Sequence, residues 1–249
     1  MGKMDDDCLW GYHPVREALR AKRRTVHTLH MVLEKIRPRE EQLMRIARQF
    51  GVGVKGTSPQ QLNTMVGHRR HQGICAQVSP YPLCSLDAIL ERARECGQAP
   101  FILALDQVVD PQNFGAIVRT AHCAGVHGII IPKNNAAPPS AAVSKASAGA
   151  LEHMYVACVT NMADALKRMK QRGIWLAGAD QNGPETVFKS DLAGALAIVI
   201  GGEEKGIRPL VKKQCDFLVS VPQAGAIGSL NASAATAVVV YEAFRQRQR

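Results

Sequence analysis

Three short polar segments in the later part of the chain combine side chains that could bind and orient a substrate. Asn113 and Arg119 belong to the first segment, Glu203 to the second, and Ser229 and Asn231 to the third. An amide both donates and accepts hydrogen bonds, a carboxylate accepts them, and a guanidinium supplies a fixed positive charge. Such a set could orient a substrate hydroxyl or stabilise a developing negative charge.

Glycines and short apolar runs surround these side chains. The run Leu196–Ile200 ends in Gly201 and Gly202, and the run Phe217–Val221 ends in Pro222 and a glycine-rich stretch. Short apolar runs that break at Gly or Pro are typical of buried strands that lead into loops. Because glycine lets a ligand approach the main chain closely, two such strand ends could form a pocket lined by backbone.

Each of these residues also has an interpretation without chemistry. Asn113, and either Ser229 or Asn231, could cap the helix that follows it. Arg119 could be a surface charge, although its apolar neighbours indicate that it points inward. Glu203 could lie in a solvated acidic turn, since the glycines around it lack the spacing of the known phosphate-binding and dinucleotide-binding loops.

Apolar strand candidates alternate with helix candidates from residue 100 onward, which predicts a parallel sheet covered on both faces. Such sheets bind ligands at the carboxyl ends of their strands, where the polar segments lie. The strand candidates are Phe101–Leu105, Gly128–Ile131, Tyr155–Val159, Ile174–Ala177, Leu196–Ile200 and Phe217–Val221.

A smaller α/β pattern precedes this region. It includes the amphipathic stretch Pro38–Phe50 and the apolar run Ile74–Val78, and it ends where Pro80 and Pro82 interrupt the sequence. We therefore expect an α/β protein with a small domain at residues 8–80, a linker at 81–99 and a larger domain at 100–249.

Positive charge is concentrated in the smaller domain. The whole chain has a net charge of +10, and residues 1–80 carry 14 Lys and Arg against 7 Asp and Glu. A basic module beside a nearly balanced one indicates a polyanionic partner such as RNA, although a basic surface that only aids solubility is the alternative. The candidates for phosphate contacts are Arg23, Arg24, Arg69 and Arg70.

Composition also limits the class of protein. No apolar run approaches the roughly 18 residues that a membrane-spanning helix needs, and the first residues contain no apolar signal region. The seven cysteines are scattered without a C-x-x-C pair, which favours reduced and mostly buried thiols in a cytoplasmic protein and gives no support to a metal site.

The polar segments, taken together and in order, resemble one family. The patterns N-x-G-x-x-x-R at 113–119, G-G-E-x-x-G at 201–206 and S-L-N-x-S at 229–233 are similar to those of the SpoU/TrmH family of RNA ribose 2′-O-methyltransferases, within the SPOUT class. The stretch GYHPVREAL from Gly11 and RHQG at 70–73 are similar to the branch that methylates a guanosine ribose in 23S ribosomal RNA.

The resemblance implies a fold and a cofactor. The family is a homodimer whose parallel-sheet domain carries a C-terminal trefoil knot, and the N-terminal extension resembles the ribosomal L30e-like fold and binds RNA. S-adenosylmethionine binds in the knot, and the matching positions here are Gly201, Gly202, Val221 and Leu230. The small-residue helix that begins at Ala232 fits close packing against another element or a second subunit. Glu204 and Gln223 depart from the family pattern, and neither carries chemistry.

The catalytic residues implied by the resemblance are Arg119, Asn113, Glu203, Ser229 and Asn231. Because arginine is effectively always charged, we expect Arg119 to stabilise the developing 2′-oxyanion rather than to remove a proton. The other four would orient the nucleotide and Arg119, and no metal is implied. Transfer RNA is the alternative substrate, and a non-catalytic RNA-binding assembly factor is the alternative function; a dinucleotide-dependent oxidoreductase lacks its glycine pattern.

Overall fold

A computed structural model describes residues 7–34, 36–225 and 228–248. Its helices, in chain order, are α1 (Tyr12–Ala21), α2 (Pro38–Gln49), α3 (Pro59–Val66), α4 (Leu86–Glu95), α5 (Pro111–Cys123), α6 (Ala141–Ala146), α7 (Met162–Lys170), α8 (Pro209–Lys212) and α9 (Ala232–Arg247), with a 3-10 turn at Ala150–His153. None of these helices has both the length and the apolar character that crossing a bilayer requires.

The strands form two separate sheets. They are β1 (Asp7–Trp10), β2 (Val26–Met31), β3 (Gly53–Gly56), β4 (Ile74–Val78), β5 (Phe101–Asp106), β6 (Gly128–Pro132), β7 (Val156–Val159), β8 (Trp175–Ala179), β9 (Glu185–Thr186), β10 (Leu196–Gly201) and β11 (Phe217–Ser220). The first four make one sheet and the other seven make the second.

The first compact unit contains residues 1–82 together with 139–153. Its sheet has the order β1-β4-β2-β3, in which only the β2–β3 pair is parallel. Helices α1 and α2 pack against this sheet through buried residues such as Val15, Leu19 and Leu43. Leu43 and Ala47 are one helical turn apart, so the amphipathic spacing read from the sequence places the apolar face of α2 on the core.

Two cysteines of this sheet are joined. Cys8 on β1 and Cys75 on the neighbouring strand β4 form a disulfide, with their Cα atoms 6.5 Å apart. The expectation of reduced, mostly buried thiols is therefore wrong here. Three of the free cysteines, Cys96, Cys123 and Cys158, are exposed.

The segment 139–153 differs from the predicted division of the chain, because it belongs to the first unit although it lies between β6 and β7 in sequence. Its docking is polar and buried. Arg24 donates from Nε to Glu152 Oε2 at 2.8 Å and from Nη2 to Glu152 Oε1 at 3.0 Å, and Ser144 Oγ donates to Glu152 Oε1 at 2.7 Å. At Gly149 an added Cβ would lie 2.9 Å from the carbonyl oxygen of His13, so only glycine allows this approach to α1.

The second compact unit contains residues 83–138 and 154–249. Its seven-stranded sheet has the order β7-β6-β5-β10-β8-β11-β9, and every pairing in it is parallel. The interior strand β5 is buried along its whole length, as near-continuous apolar strands of parallel sheets are. The predicted parallel α/β architecture is confirmed, and each strand candidate lies within two residues of an observed strand. The trefoil knot and the L30e-like fold stay predictions.

Candidate active site

The carboxyl ends of three neighbouring strands open into one cavity of the second unit. Its volume is about 630 Å3, within the range of roughly 300–1,000 Å3 that small-molecule sites occupy. Residues at the ends of β8, β10 and β11 contribute to its wall, as is usual for ligand sites of parallel α/β sheets. The four residues matched to cofactor binding, Gly201, Gly202, Val221 and Leu230, all line this cavity.

The glycine pair at the end of β10 is required by close backbone contacts. A Cβ at Gly201 would collide with the main chain of Gly206 and Ile207, and a Cβ at Gly202 would collide with the carbonyl oxygen of Gln107. The loop closes on itself where Gly206 N donates to the Gly202 carbonyl at 3.0 Å. The segment 201–206 is therefore a tight turn, and it holds Glu203 at the cavity wall.

An ion pair that the sequence analysis missed ties this turn to the sheet. Asp106, the last residue of β5, is fully buried and accepts hydrogen bonds from Arg208 N at 2.9 Å and from Arg208 Nη2 at 2.6 Å. The hydrogen bond to Asp106 raises the pKa of Arg208. Asp106 lies beside Gly201 in the parallel register, so the pair fixes both ends of the loop. In the sequence, the acidic residue at the end of an apolar strand is the feature that could have indicated this ion pair.

Asn113 does not cap α5. The capping residue is Asp110, whose carboxylate accepts from Gln112 N and Asn113 N, both at 3.1 Å. These bonds lower the pKa of Asp110, the one from Gln112 most. Asn113 therefore sits in the first turn of the helix with its side-chain amide available for other contacts.

The amide of Asn113 joins the three polar segments. Asn113 Nδ2 donates to Glu203 Oε1, and Asn113 Oδ1 accepts from Asn231 Nδ2 at 3.0 Å. Asn231 is itself oriented as the cap of α9, because its Oδ1 accepts from Ser233 N at 2.8 Å and from Ser233 Oγ at 2.6 Å. The sequence offered Ser229 or Asn231 as this cap, and Asn231 fills the role.

Ser229 and Arg119 have different positions from this cluster. Ser229 is exposed and lines the cavity beside Leu230. Arg119 is exposed and is absent from the wall of this cavity, so its orientation differs from the inward one expected. The reason is helical geometry: Phe114, Ile117, Val118 and Ala121 form the buried face of α5, and Arg119 falls outside it.

An acid–base pair lies on another part of the wall. Asp180 follows β8, and its Oδ2 accepts from Lys212 Nζ at 2.7 Å. Burial works to raise the pKa of Asp180, but the hydrogen bonds from Lys212 and from the Asn182 backbone outweigh it and lower the pKa. The cavity thus presents the carboxylates of Asp180, Glu203 and Glu204 beside apolar side chains and glycine backbone.

A second, smaller cavity of about 270 Å3 adjoins the first. The two share the turn 202–206 and Ala232, and Glu203 lines both. The other wall of the smaller cavity comes from residues 107–110, which follow β5, and from Asn135, which follows β6. Arg119 is absent from this wall as well.

The four arginines proposed for RNA contacts lie in the first unit and are not equivalent. Arg69 and Arg70 are exposed, whereas Arg23 is half-buried and donates from Nη1 to Tyr81 Oη at 3.2 Å. The expectation that Arg24 contacts RNA phosphate is wrong. Its side chain is 1% exposed and paired with Glu152, so it is not a surface charge. The loop of Arg69 and Arg70 is anchored by His71, whose Nδ1 accepts from Gly73 N at 3.0 Å.

Comparisons with known proteins agree with this architecture. The model of the SpoU rRNA Methylase family matches residues 100–241, and the model described as RNA 2′-O ribose methyltransferase substrate binding matches residues 8–84. Within the described residues, no group of three or more His, Cys, Asp or Glu side chains could hold a metal ion.

Full-length relatives and a solved structure are similar as well. The chain is 41% identical to YacO of Bacillus subtilis, assigned to the TrmH family of tRNA/rRNA methyltransferases, over 97% of this chain and 96% of the relative. It is 37% identical to the 23S rRNA (guanosine-2′-O-)-methyltransferase RlmB of Shewanella oneidensis, over 97% and 98% of the two chains. The SpoU methyltransferase AviRb of Streptomyces viridochromogenes, solved in complex with AdoMet, superposes with a TM-score of 0.82 at 26% identity, covering 97% and 90%.

Proposed function

This chain belongs to the SpoU rRNA methylase family, and we propose that it transfers a methyl group from S-adenosylmethionine to the ribose 2′-OH of a guanosine in 23S ribosomal RNA. The observation that carries the proposal is the hydrogen-bonded chain Asn231–Asn113–Glu203, of which Glu203 lines the larger cavity. Three separated motifs converge there on one carboxylate.

The larger cavity suits S-adenosylmethionine in size and in chemistry. Its volume of about 630 Å3 is ample for a nucleoside-sized cofactor, and its wall combines backbone groups with apolar side chains such as Val221 and Leu230. Asp180 offers a carboxylate to the hydroxyls and positive charges that this cofactor carries. Gly201, Gly202, Val221 and Leu230 would hold it.

The residues of the cluster then have defined roles. S-adenosylmethionine supplies a methyl group on a positively charged sulfonium, ready for in-line displacement. Glu203 accepts a hydrogen bond from the 2′-OH and draws off its proton, while Asn113 holds the carboxylate and Asn231 holds Asn113. Holding the hydroxyl in line with the methyl group supplies much of the acceleration. Ser229 borders the cavity and orients the nucleotide.

A catalytic Arg119 requires a second copy of the chain. Because Arg119 is exposed and lines neither cavity of its own chain, it can stabilise a developing oxyanion only at a neighbouring subunit's site. Helix α5 packs on α9, whose exposed residues are Ala234, Tyr241 and Arg245, and the two apolar ones support a homodimer interface there. The functional unit is accordingly a symmetric homodimer.

The substrate follows from the relatives and from charge. RlmB of Shewanella oneidensis is a 23S rRNA guanosine enzyme by name, and the substrate-binding family model covers residues 8–84. The basic excess of the first 80 residues suits an RNA backbone. Such a reaction would take place in the cytoplasm, where bacteria assemble ribosomes.

Methyl transfer to purified RNA tests the proposal directly. Total RNA from cells that lack the gene is incubated with the protein and radiolabelled S-adenosylmethionine, and ribose methylation is then mapped. We expect one guanosine of the large-subunit RNA to be labelled. Label in transfer RNA instead would identify transfer RNA as the substrate. No label in any RNA would favour a non-catalytic assembly factor.

Mixed dimers test whether Arg119 acts across the interface. Subunits with Arg119→Ala and with Glu203→Gln are each expected to be inactive as homodimers. In a mixed dimer one site has both intact residues if Arg119 acts in trans, so coexpression should restore activity at about a quarter of all sites. If Arg119 acts within its own chain, or the protein is an active monomer, nothing is restored.

A further inference from the structure

The smaller cavity lies where a methyl acceptor has to be. Reacting atoms must approach to about 3–3.5 Å, so the acceptor site must share a wall with the cofactor site. The two cavities share the turn 202–206, and Glu203 faces both. The smaller cavity has a volume of about 270 Å3, below that of sites for drug-sized ligands, so it suits a ligand group smaller than a whole drug-sized molecule.

Two residues of its wall have an unusual backbone. Gln107 has φ of 66° and Asn135 has φ of 56°, in the left-handed region that non-glycine residues rarely occupy. Conformations of this kind cluster at active sites and ligand-binding sites. The two loops are joined by the hydrogen bond from Ala137 N to the Val108 carbonyl at 2.9 Å, which holds both unusual residues on one cavity.

The side chains at this wall match a nucleobase. The side-chain amides of Gln107 and Asn135 have no hydrogen-bond partner among the residues that the structure describes, although each can donate and accept. Val109, on the same wall, is an apolar side chain that is 63% exposed. A base has an apolar face and a polar edge, so its face would pack against Val109 and its edge would form hydrogen bonds with the two amides.

We propose that the smaller cavity receives the base of the target nucleoside, and that Gln107 and Asn135 determine which base is accepted. The inference rests on the proposed methyl transfer and assigns a selectivity site to it. The amides pair with the donors and acceptors of the guanine edge, Val109 supports its face, and the ribose then lies beside Glu203 at the shared wall.

Base discrimination is the readout that separates selectivity from a structural role. Two transcripts are prepared that carry either guanosine or adenosine at the nucleotide methylated by the wild-type protein. The ratio of kcat/KM for the two transcripts is measured for the wild type and for Gln107→Gly and Asn135→Gly. Glycine removes the amide and keeps the left-handed backbone without strain, so the loops are preserved.

We expect the kcat/KM of the wild type to favour guanosine over adenosine by at least about tenfold, and each variant to lose most of that preference. A good pair of hydrogen bonds to a base edge discriminates between bases by about this much. Gln112→Ala and Asn134→Ala are matched controls, because both side chains are exposed and neither lines this cavity. They should keep the wild-type ratio. Thermal stabilisation by S-adenosylhomocysteine should be the same in all five proteins.

The outcomes are separable. If the wild type methylates RNA and both glycine variants keep the full guanosine preference, the selectivity site is refuted while the methyl transfer stands. A wild type that methylates no RNA refutes the proposed function, and the selectivity site falls with it. A variant that loses S-adenosylhomocysteine binding assigns its residue to the cofactor cavity and overturns the assignment to the base.

Discussion

Single residues of the site act through one another. Asn113 both donates to Glu203 and accepts from Asn231, because a side-chain amide has a donor and an acceptor group side by side. Asn231 in turn depends on its position as the cap of α9. The orientation of the carboxylate is thus set by a helix end, which is more rigid than a loop side chain.

The carboxylate of Glu203 is the first test at this scale. Glu203→Gln keeps the shape and removes the charge, so single-turnover methyl transfer should fall by about 100-fold or more while S-adenosylhomocysteine still binds. Glu204→Gln is the matched control, since Glu204 borders the same cavities but makes no hydrogen bond to Asn113. Equal rates for the two variants would remove Glu203 from the chemistry.

Asp180 gives a prediction for acid conditions. Its pKa in the folded protein is lowered, with burial opposed by the stronger effect of Lys212 and a backbone donor. A carboxyl with a lowered folded pKa stabilises the protein above its unfolded pKa of about 3.9, and the contribution disappears as pH falls through the folded value. Asp180→Asn should therefore lower the melting temperature at pH 7, and the difference from wild type should shrink on acidification below about pH 4. A difference that is constant with pH would contradict this.

The sequence predicted part of this site. Asn113, Glu203, Ser229 and Asn231 stand in motifs that follow strand ends, so their approach to one edge of the sheet could be expected. The bond between Asp106 and Arg208 joins residues 102 apart, and no local pattern indicates which distant arginine a buried acid will meet. The direction of Arg119 depended on which face of α5 is buried, and apolar neighbours in sequence lie on other faces of a helix.

At the scale of elements, the segment 139–153 is the least expected feature. Its helix α6 falls inside the range 100–249 expected for the larger domain, because a sequence pattern can identify a helix but not the surface on which it docks. The docking depends on Arg24 and Glu152, whose side chains are each 1% exposed. Burial works to lower the pKa of Arg24, but the bonds to Glu152 and Asp7 raise it. Short strands such as β3 and β9 carried no apolar alternation and were not predicted either.

Breaking the Arg24–Glu152 pair should be costly. Glu152→Ala leaves a buried guanidinium without its main partner, so the free energy of unfolding should fall by about 3–5 kcal/mol. The double variant Arg24→Met/Glu152→Leu removes both charges and should be more stable than Glu152→Ala in chemical denaturation. Glu91→Ala, at an exposed pair with Arg94, should change little. A double variant no more stable than the single one would show that the pair itself is not what holds the segment.

At the scale of the whole molecule, charge and chemistry are divided between the two units. The basic excess lies in the first 80 residues, whereas the converging motifs and both cavities described here lie in the second unit. The composition alone indicated this division. It did not indicate that residues 139–153 complete the first unit, so deleting residues 8–80 would expose a segment of the remaining chain.

The division predicts that RNA affinity and cofactor affinity can be changed separately. Arg23, Arg69 and Arg70 are the remaining candidates for phosphate contacts once Arg24 is recognised as buried. Each contact to a flexible RNA strand contributes about 0.7 to the slope of log affinity against log salt concentration, so replacing all three with Gln should reduce that slope by about 2. RNA affinity should fall at low salt, while stabilisation by S-adenosylhomocysteine should stay unchanged.

The matched control for this experiment removes the same charge from the second unit. Arg94, Arg168 and Arg172 are exposed and paired with the carboxylates of Glu91 and Asp87, so they are poorly placed to exchange counterions with RNA. Their triple replacement with Gln should leave the salt slope nearly unchanged. An equal loss of slope in both triple variants would mean that RNA responds to the net charge of the protein, and not to a surface of the first unit.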